Sequence, residues 1–265
     1  MIQYFENGEV KSRVNFVKGV QDGVGKFYYS QGAIKREVNF KSGIQQDTMK
    51  IYYENGNLME LSFLVDGVKN GIFSDYYENG NIKSKGNAKD NDRDGEWLFY
   101  QQDGSLDRVA FFINGQEVSS LLPSENNKKY KNALLKYSFT VPDSFDKVQE
   151  TKDFVLFVLD KEGFKPSFNV LSNELNDNIE LTEFVGNELE SINNLTSEFV
   201  LLRKESSESK IKIDYRAKYE NYNVKVSTLF ISRDNYVFIV TFMSESAQYY
   251  SDEMNLVFSS FNLES

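Results

Sequence analysis

The chain has 265 residues, 40% hydrophobic and 15% aromatic, with a formal net charge of −10; this is globular material, long enough for two domains, without the excess positive charge that phosphate backbones and anionic membranes attract. It contains no cysteine and no histidine, which excludes disulfides, thiolate metal sites and Ser-His-Asp triads and leaves any catalysis to carboxylates, Lys, Tyr or Ser. No run of 18 apolar residues offers a membrane-spanning helix.

The opening segment MIQYFENG has neither the basic nor the apolar region of a signal peptide. The expectation is a cytoplasmic protein, with an envelope or secreted location as the alternative if a leader has been removed. Tyr4, Tyr28, Tyr52, Tyr76 and Tyr100 then recur every 24 residues, each followed four positions later by Gly8, Gly32, Gly56, Gly80 and Gly104. A second register holds Gly19, Gly43, Gly67 and Gly115, with Asn91 in the fourth copy. A third holds Asp22-Gly23, Asn70-Gly71 and Asp94-Gly95, with Gln46-Asp47 as its degenerate member. Such recurrence is a tandem array.

Asn-Gly and Asp-Gly supply positive φ, so each Tyr-to-Gly stretch predicts a strand, a two-residue turn and a return strand, and the third register predicts a further turn. The return strands alternate: Ile34, Val38 and Phe40 lie on one face and Lys35, Glu37 and Asn39 on the other, as do Val10, Val14 and Phe16 against Lys11, Arg13 and Asn15. One hairpin cannot bury such a face; stacked hairpins can. These residues resemble the MORN-repeat variant family, most closely at Gly95-Glu96-Trp97-Leu98-Phe99-Tyr100-Gln101-Gln102-Asp103-Gly104. The resemblance covers residues 1–118 and implies an all-β repeat solenoid of stacked hairpins that serves as a scaffold or as a protein- or lipid-contact surface.

Tyr28, Tyr52, Tyr76 and Tyr100 read either as a partner-binding surface or as the structural seam of the array, the seam being favoured. In the third copy Met59, Leu61 and Phe63 are apolar where other copies are mostly polar. They are candidates for a partner contact, or for packing against a neighbouring loop or domain. Asp75 replaces the apolar residue seen at Phe27, Ile51 and Phe99. Asp90, Asp92 and Asp94 mimic the opening of a calcium loop, but Gln101 stands where the closing Glu belongs and the repeat register itself explains Asp94-Gly95. The expectation is a solvated turn, with no metal and no cofactor.

Residues 119–133 break the period and read as a linker around Pro123. Residues 134–265 read as an α+β domain. Strands are predicted at Tyr137–Pro142, Phe154–Leu159 and Pro166–Leu171, then a helix carrying Leu181, Phe184, Val185, Leu189, Ile192 and Leu195 and capped by Thr182. Three meander strands follow over 210–218, 223–231 and 236–243, and a final helix starts near Ser246. Arg203 and Lys204, with Lys210 and Lys212, read as a solvated edge. The order resembles the PsbP-like fold, on Tyr137-Ser138-Phe139-Thr140-Val141-Pro142-Asp143, Phe168-Asn169-Val170 and Phe258-Ser259-Ser260-Phe261. That resemblance implies an antiparallel sheet sandwiched with two helices, and an accessory rather than catalytic role. The sequence thus points to a non-enzymatic, protein-binding adaptor, chaperone or immunity-type inhibitor, with a tie to a bacterial toxin or secretion system as one expectation. The alternatives are a carboxylate-dependent glycan hydrolase, with two carboxylates facing across about 5–10 Å, and an envelope- or lipid-associated accessory protein.

Overall fold

The computed structural model describes residues 1–175, 179–245 and 250–264. They form two compact units. The first comprises Met1–Pro123 with Tyr130–Lys136, and the second Ser124–Lys129 with Tyr137 onwards.

The first unit is an antiparallel meander in which each strand hydrogen-bonds to the next, from Ile2–Tyr4 through Val10–Arg13, Gly23–Tyr28, Ile34–Lys41, Ile44–Tyr52, Leu58–Val65, Val68–Tyr76, Ile82–Lys89, Asp92–Tyr100 and Leu106–Ile113 to Gln116–Pro123. Asn55-Gly56 and Asn79-Gly80 lie at equivalent bends of successive repeats, as predicted, but the turn chemistry differs from expectation. At Gly56 the loop is longer than two residues. Gly56 N–H donates to Tyr53 O (3.0 Å), Tyr53 N–H donates to Asn57 O (2.8 Å), and only Gly56, at φ 87°, is left-handed. This is an ordinary turn closed by one glycine bulge. The two-residue turns with both φ values positive sit instead at the second register, at Lys18-Gly19, Ser42-Gly43, Asp66-Gly67, Asp90-Asn91 and Asn114-Gly115. The third register makes no turn. In the later copies Asp47, Gly71 and Gly95 take positive φ inside continuous strands, beside shifts in pairing register, and so form β-bulges.

Alternation decides which face is buried. One row of cross-strand partners runs Gly25, Val38, Met49, Ser62, Phe73 and Gly86; Trp97 and Ala110 are paired on the same side of the next strands. The burial of Val38, Trp97 and Ala110 is essentially complete. Trp97 lies flat over Gly86, where an added Cβ would come within 2.5 Å of the indole, and its Nε1–H donates to Asn87 O (2.9 Å). Phe16 is an exception to the predicted inward face. Its equivalents Phe40, Leu64 and Phe112 are buried, yet Phe16 is 39% exposed, because it belongs to the small hairpin Phe16–Val17 with Val20–Gln21 at the start of the array.

Residues 119–133 are largely strand rather than an open linker: Gln116–Pro123 continues the sheet and Asn127–Asn132 is extended. Their serines and asparagines suggested solvent, but Ser119, Ser120, Tyr130 and Asn132 are buried, and Asn132 Oδ1 accepts from Leu135 N–H (2.7 Å).

The second unit is built on a seven-stranded antiparallel sheet in the order Asp146–Glu150, Phe154–Val158, Ser167–Glu174, Tyr236–Glu245, Tyr222–Arg233, Lys210–Tyr219, Ser197–Ser206. Both faces of its central strands are buried. Ile211, Ile213, Tyr215, Val226 and Ile239 meet Leu181, Phe184, Val185, Leu189 and Ile192 of the helix Leu181–Leu195. An aromatic cluster of Tyr137, Phe139, Phe157, Phe168, Phe238 and Phe261 forms separately, with ring centroids 4.8–6.3 Å apart. The helix Ser251–Ser260 packs on the strand Tyr137–Pro142, whose Thr140 N–H donates to Ser260 Oγ (2.8 Å). The first helix begins two residues earlier than Thr182 would allow as a cap: its N-cap is Glu180, which makes no side-chain capping bond. The start predicted near Ser246 for the second helix lies outside the described residues.

Candidate functional site

The first four repeats carry two adjacent aromatic residues, with Gln101 after Tyr100 in the fifth, and the structure gives the two positions different tasks. The second of the pair clamps neighbouring repeats together. Tyr29, Tyr53 and Tyr77 donate their hydroxyls to the backbone carbonyls of Tyr52, Tyr76 and Tyr100, at 2.7, 2.8 and 2.8 Å. The asparagines of the turn extend the same clamp. Asn55 and Asn57 both donate to Glu78 O, and Asn79 and Asn81 both to Gln102 O, at 2.8–2.9 Å. On the opposite edge the second-register residues repeat the device through the backbone, with Gly43, Gly67, Asn91 and Gly115 N–H donating to Gln21, Gln45, Lys69 and Arg93 carbonyls at 2.8–3.0 Å. Asn91 replaces glycine without loss, since its side-chain oxygen accepts from Lys69 N–H (2.9 Å). The seam expected of Tyr28, Tyr52, Tyr76 and Tyr100 is therefore served by the backbone carbonyls of the last three, and the bonding hydroxyls belong to their successors.

The outward face has its own row: Arg13, Lys26, Glu37, Lys50, Leu61, Ser74, Lys85, Leu98 and Val109 are successive cross-strand partners. It holds four cations to one carboxylate, although the chain as a whole is acidic. The side chains of the first tyrosines join this face. Tyr52 donates to Glu37 Oε2 (3.1 Å), Glu37 pairs with Lys26 Nζ (2.6 Å), and Lys85 Nζ sits 5.6 Å from the Tyr100 ring centroid. Burial, followed by the bond to Glu37, pushes the Tyr52 phenol up to about 12; the hydrogen bond from Lys26 holds the Glu37 carboxyl below its usual range.

Met59, Leu61 and Phe63 also lie on this side, but half-buried rather than exposed. Met59 occupies the position held by Lys35 and Lys83, which stack over Tyr29 and Tyr77 in their own repeats. Phe63 lies against Gly71, where an added Cβ would meet its ring at 3.4 Å. The absence of a Cβ at Gly71 thus lets Phe63 pack down on the neighbouring strand. Ile72 nearby is 62% exposed.

Asp90, Asp92 and Asp94 do not converge. Asp90 is in the two-residue turn, and Asp92 and Asp94 pair in a strand with Lys89 and Asn87; among the described residues no group of three carboxylates is placed to hold a metal ion. Another polar group lies on the buried side. Glu60 and Asp75 are cross-strand partners; Glu60 pairs with Lys69 (2.7 Å) and accepts from Ser62 Oγ (3.0 Å), while Asp75 accepts from Ser84 Oγ (2.9 Å). The substitution of Asp75 into an apolar register was the only signal; Ser84 satisfies its Oδ2, while its Oδ1 is buried without a hydrogen bond.

Known proteins bear on these observations. The MORN repeat variant model matches residues 1–18, 21–42, 48–66 and 69–90. No curated protein matches the chain. Similar solved structures include a Pseudomonas aeruginosa protein of unknown function, PA94 (17% identity, 46% of this chain and 85% of that one, TM-score 0.34). Another is the cyanobacterial PsbP protein of Synechocystis sp. PCC 6803 (15%, 53% and 94%, 0.43). A third is a protein from Bacteroides thetaiotaomicron VPI-5482 (12%, 53% and 50%, 0.37). The period, the clamped turns and the family match agree over residues 1–90, which are similar to MORN repeat variants.

Proposed function

We propose that the chain is a non-catalytic protein-binding module that uses the outward face of its array to hold an acidic partner, in the manner of an adaptor, chaperone or immunity-type inhibitor. One observation carries this reading. Interrepeat cohesion is supplied by Tyr29, Tyr53, Tyr77 and the turn asparagines, yet the preceding tyrosine recurs with its side chain on the basic outer face. Tyrosine beside lysine gives large contact area at low entropic cost and complements carboxylates. The test places a photo-crosslinking side chain at Tyr76 in the full chain and exposes it to native lysate. A discrete adduct is expected, lost in a Tyr52→Ser/Tyr100→Ser background. Recovery of nothing above background, or an adduct indifferent to those changes, overturns the reading.

A further inference from the structure

We propose that a second copy of this chain completes the seven-stranded sheet, the strand Ser197–Ser206 pairing antiparallel with its own counterpart across a two-fold axis. This goes beyond the binding role of the array and concerns the other unit. The two edges of that sheet are unlike. Asp146–Glu150 is five residues long, mostly polar, and pinned by the Lys147–Glu150 ion pair (2.8 Å); short, charged edges of this kind resist pairing. Ser197–Ser206 is ten residues long and pairs only with Lys210–Tyr219 among the described strands. Its consecutive Val200, Leu201 and Leu202 are 46%, 44% and 43% exposed. A long edge with an apolar centre and one free row of backbone donors and acceptors is a template for another strand.

Charge selects the occupant and its direction. Glu198 stands near the start of the strand, its side chain 67% exposed and 3.6 Å from Lys218 of the next strand, an exposed pair weak enough to exchange. Lys204 stands near the end, while Arg203 is held by Glu205 within the strand. Antiparallel pairing of two copies about Leu201 sets Val200 opposite Leu202 and Glu198 opposite Lys204 at both ends; parallel pairing in register would set like charges together. The ladder to Lys210–Tyr219 shifts register between Ser197 and Val200, where Glu198 takes φ 56°, and again between Leu201 and Arg203. The second bulge re-aims Leu202 so that the apolar centre is not confined to one face.

Sedimentation velocity of the full chain, from about 1 μM to about 100 μM, where a modest interface associates, is expected to show a monomer–dimer equilibrium. Glu198→Lys or Lys204→Glu alone places like charges opposite and weakens it by about tenfold. The double variant restores opposite charges and recovers the parent constant within about threefold. Leu202→Lys abolishes the dimer, and unchanged melting of these exposed-site variants keeps misfolding apart from dissociation. A monomer throughout that range, or a dimer indifferent to all four variants, overturns the proposal. Neither result touches the array, and loss of crosslinking at Tyr76 leaves sedimentation unchanged.

Discussion

Tyr53 and Tyr76 show how one residue type divides its work. The Tyr53 hydroxyl is committed to Tyr76 O (2.8 Å), so Tyr53→Phe is expected to cost about 0.5–1.5 kcal/mol in denaturant unfolding. Tyr76→Phe, whose structural contribution is its backbone carbonyl, stays within about 0.5 kcal/mol of the parent. Tyr52 adds a pH signature. Its folded phenol is pushed up to about 12, whereas an unfolded tyrosine titrates near about 10. The neutral form is favoured in the fold, so the associated stability is complete below about pH 10 and is lost as pH rises towards 12. Tyr215, raised to about 12 by burial, acts in the same window. Melting followed across that range should show the alkaline loss reduced in Tyr52→Phe. Glu37 works in the opposite sense: lowered chiefly by the Lys26 hydrogen bond, it contributes above the ordinary carboxylate range and loses its contribution as pH falls through its depressed value.

At the level of strands and turns, close packing replaces a second layer. Gly86 leaves room for Trp97, and Gly25 for Phe40, where an added Cβ would come within 2.8 Å of the ring. Gly86→Ala forces the indole or the strand to shift and is expected to destabilise by about 1–3 kcal/mol, read as a drop in the denaturant midpoint at constant slope. Gly56→Ala meets no neighbour within 4 Å but must hold φ 87°; its cost is that of a left-handed alanine, about 1–2 kcal/mol. The two glycines therefore fail for different reasons. Replacing Gly56 with Asn, which tolerates the left-handed region, should recover much of the loss at position 56, while Gly86→Asn should be worse than Gly86→Ala.

For the molecule as a whole, net charge conceals a sorting of charge. The chain carries 30 Lys and Arg against 40 Asp and Glu, yet the central outward row of the array has Arg13, Lys26, Lys50 and Lys85 with Glu37 alone against them. Partner capture by this face should weaken as salt rises from about 50 to about 300 mM, because exposed charges are already screened within about 8 Å at about 150 mM. Recovery of the crosslinked adduct across the titration checks this; an adduct insensitive to salt would locate the contact elsewhere.

The repeat period, the buried alternation of Ile34, Val38 and Phe40, the meander strands and the first helix were all legible, because side-chain periodicity is a local property written every two or 3.6 residues. The exposed Arg203-Lys204 edge was legible for the same reason, although its strand was not. Three things waited for tertiary structure. Asn-Gly and Asp-Gly permit several bends, and only strand pairing decided that the second register turns while the third bulges. Which of two neighbouring tyrosines clamps the next repeat depends on a carbonyl 23 residues away. The meeting of Glu60 with Asp75, the exposure of Leu201 and the gathering of lysines on one face are set by which strands lie side by side, a long-range fact that no single stretch of sequence contains.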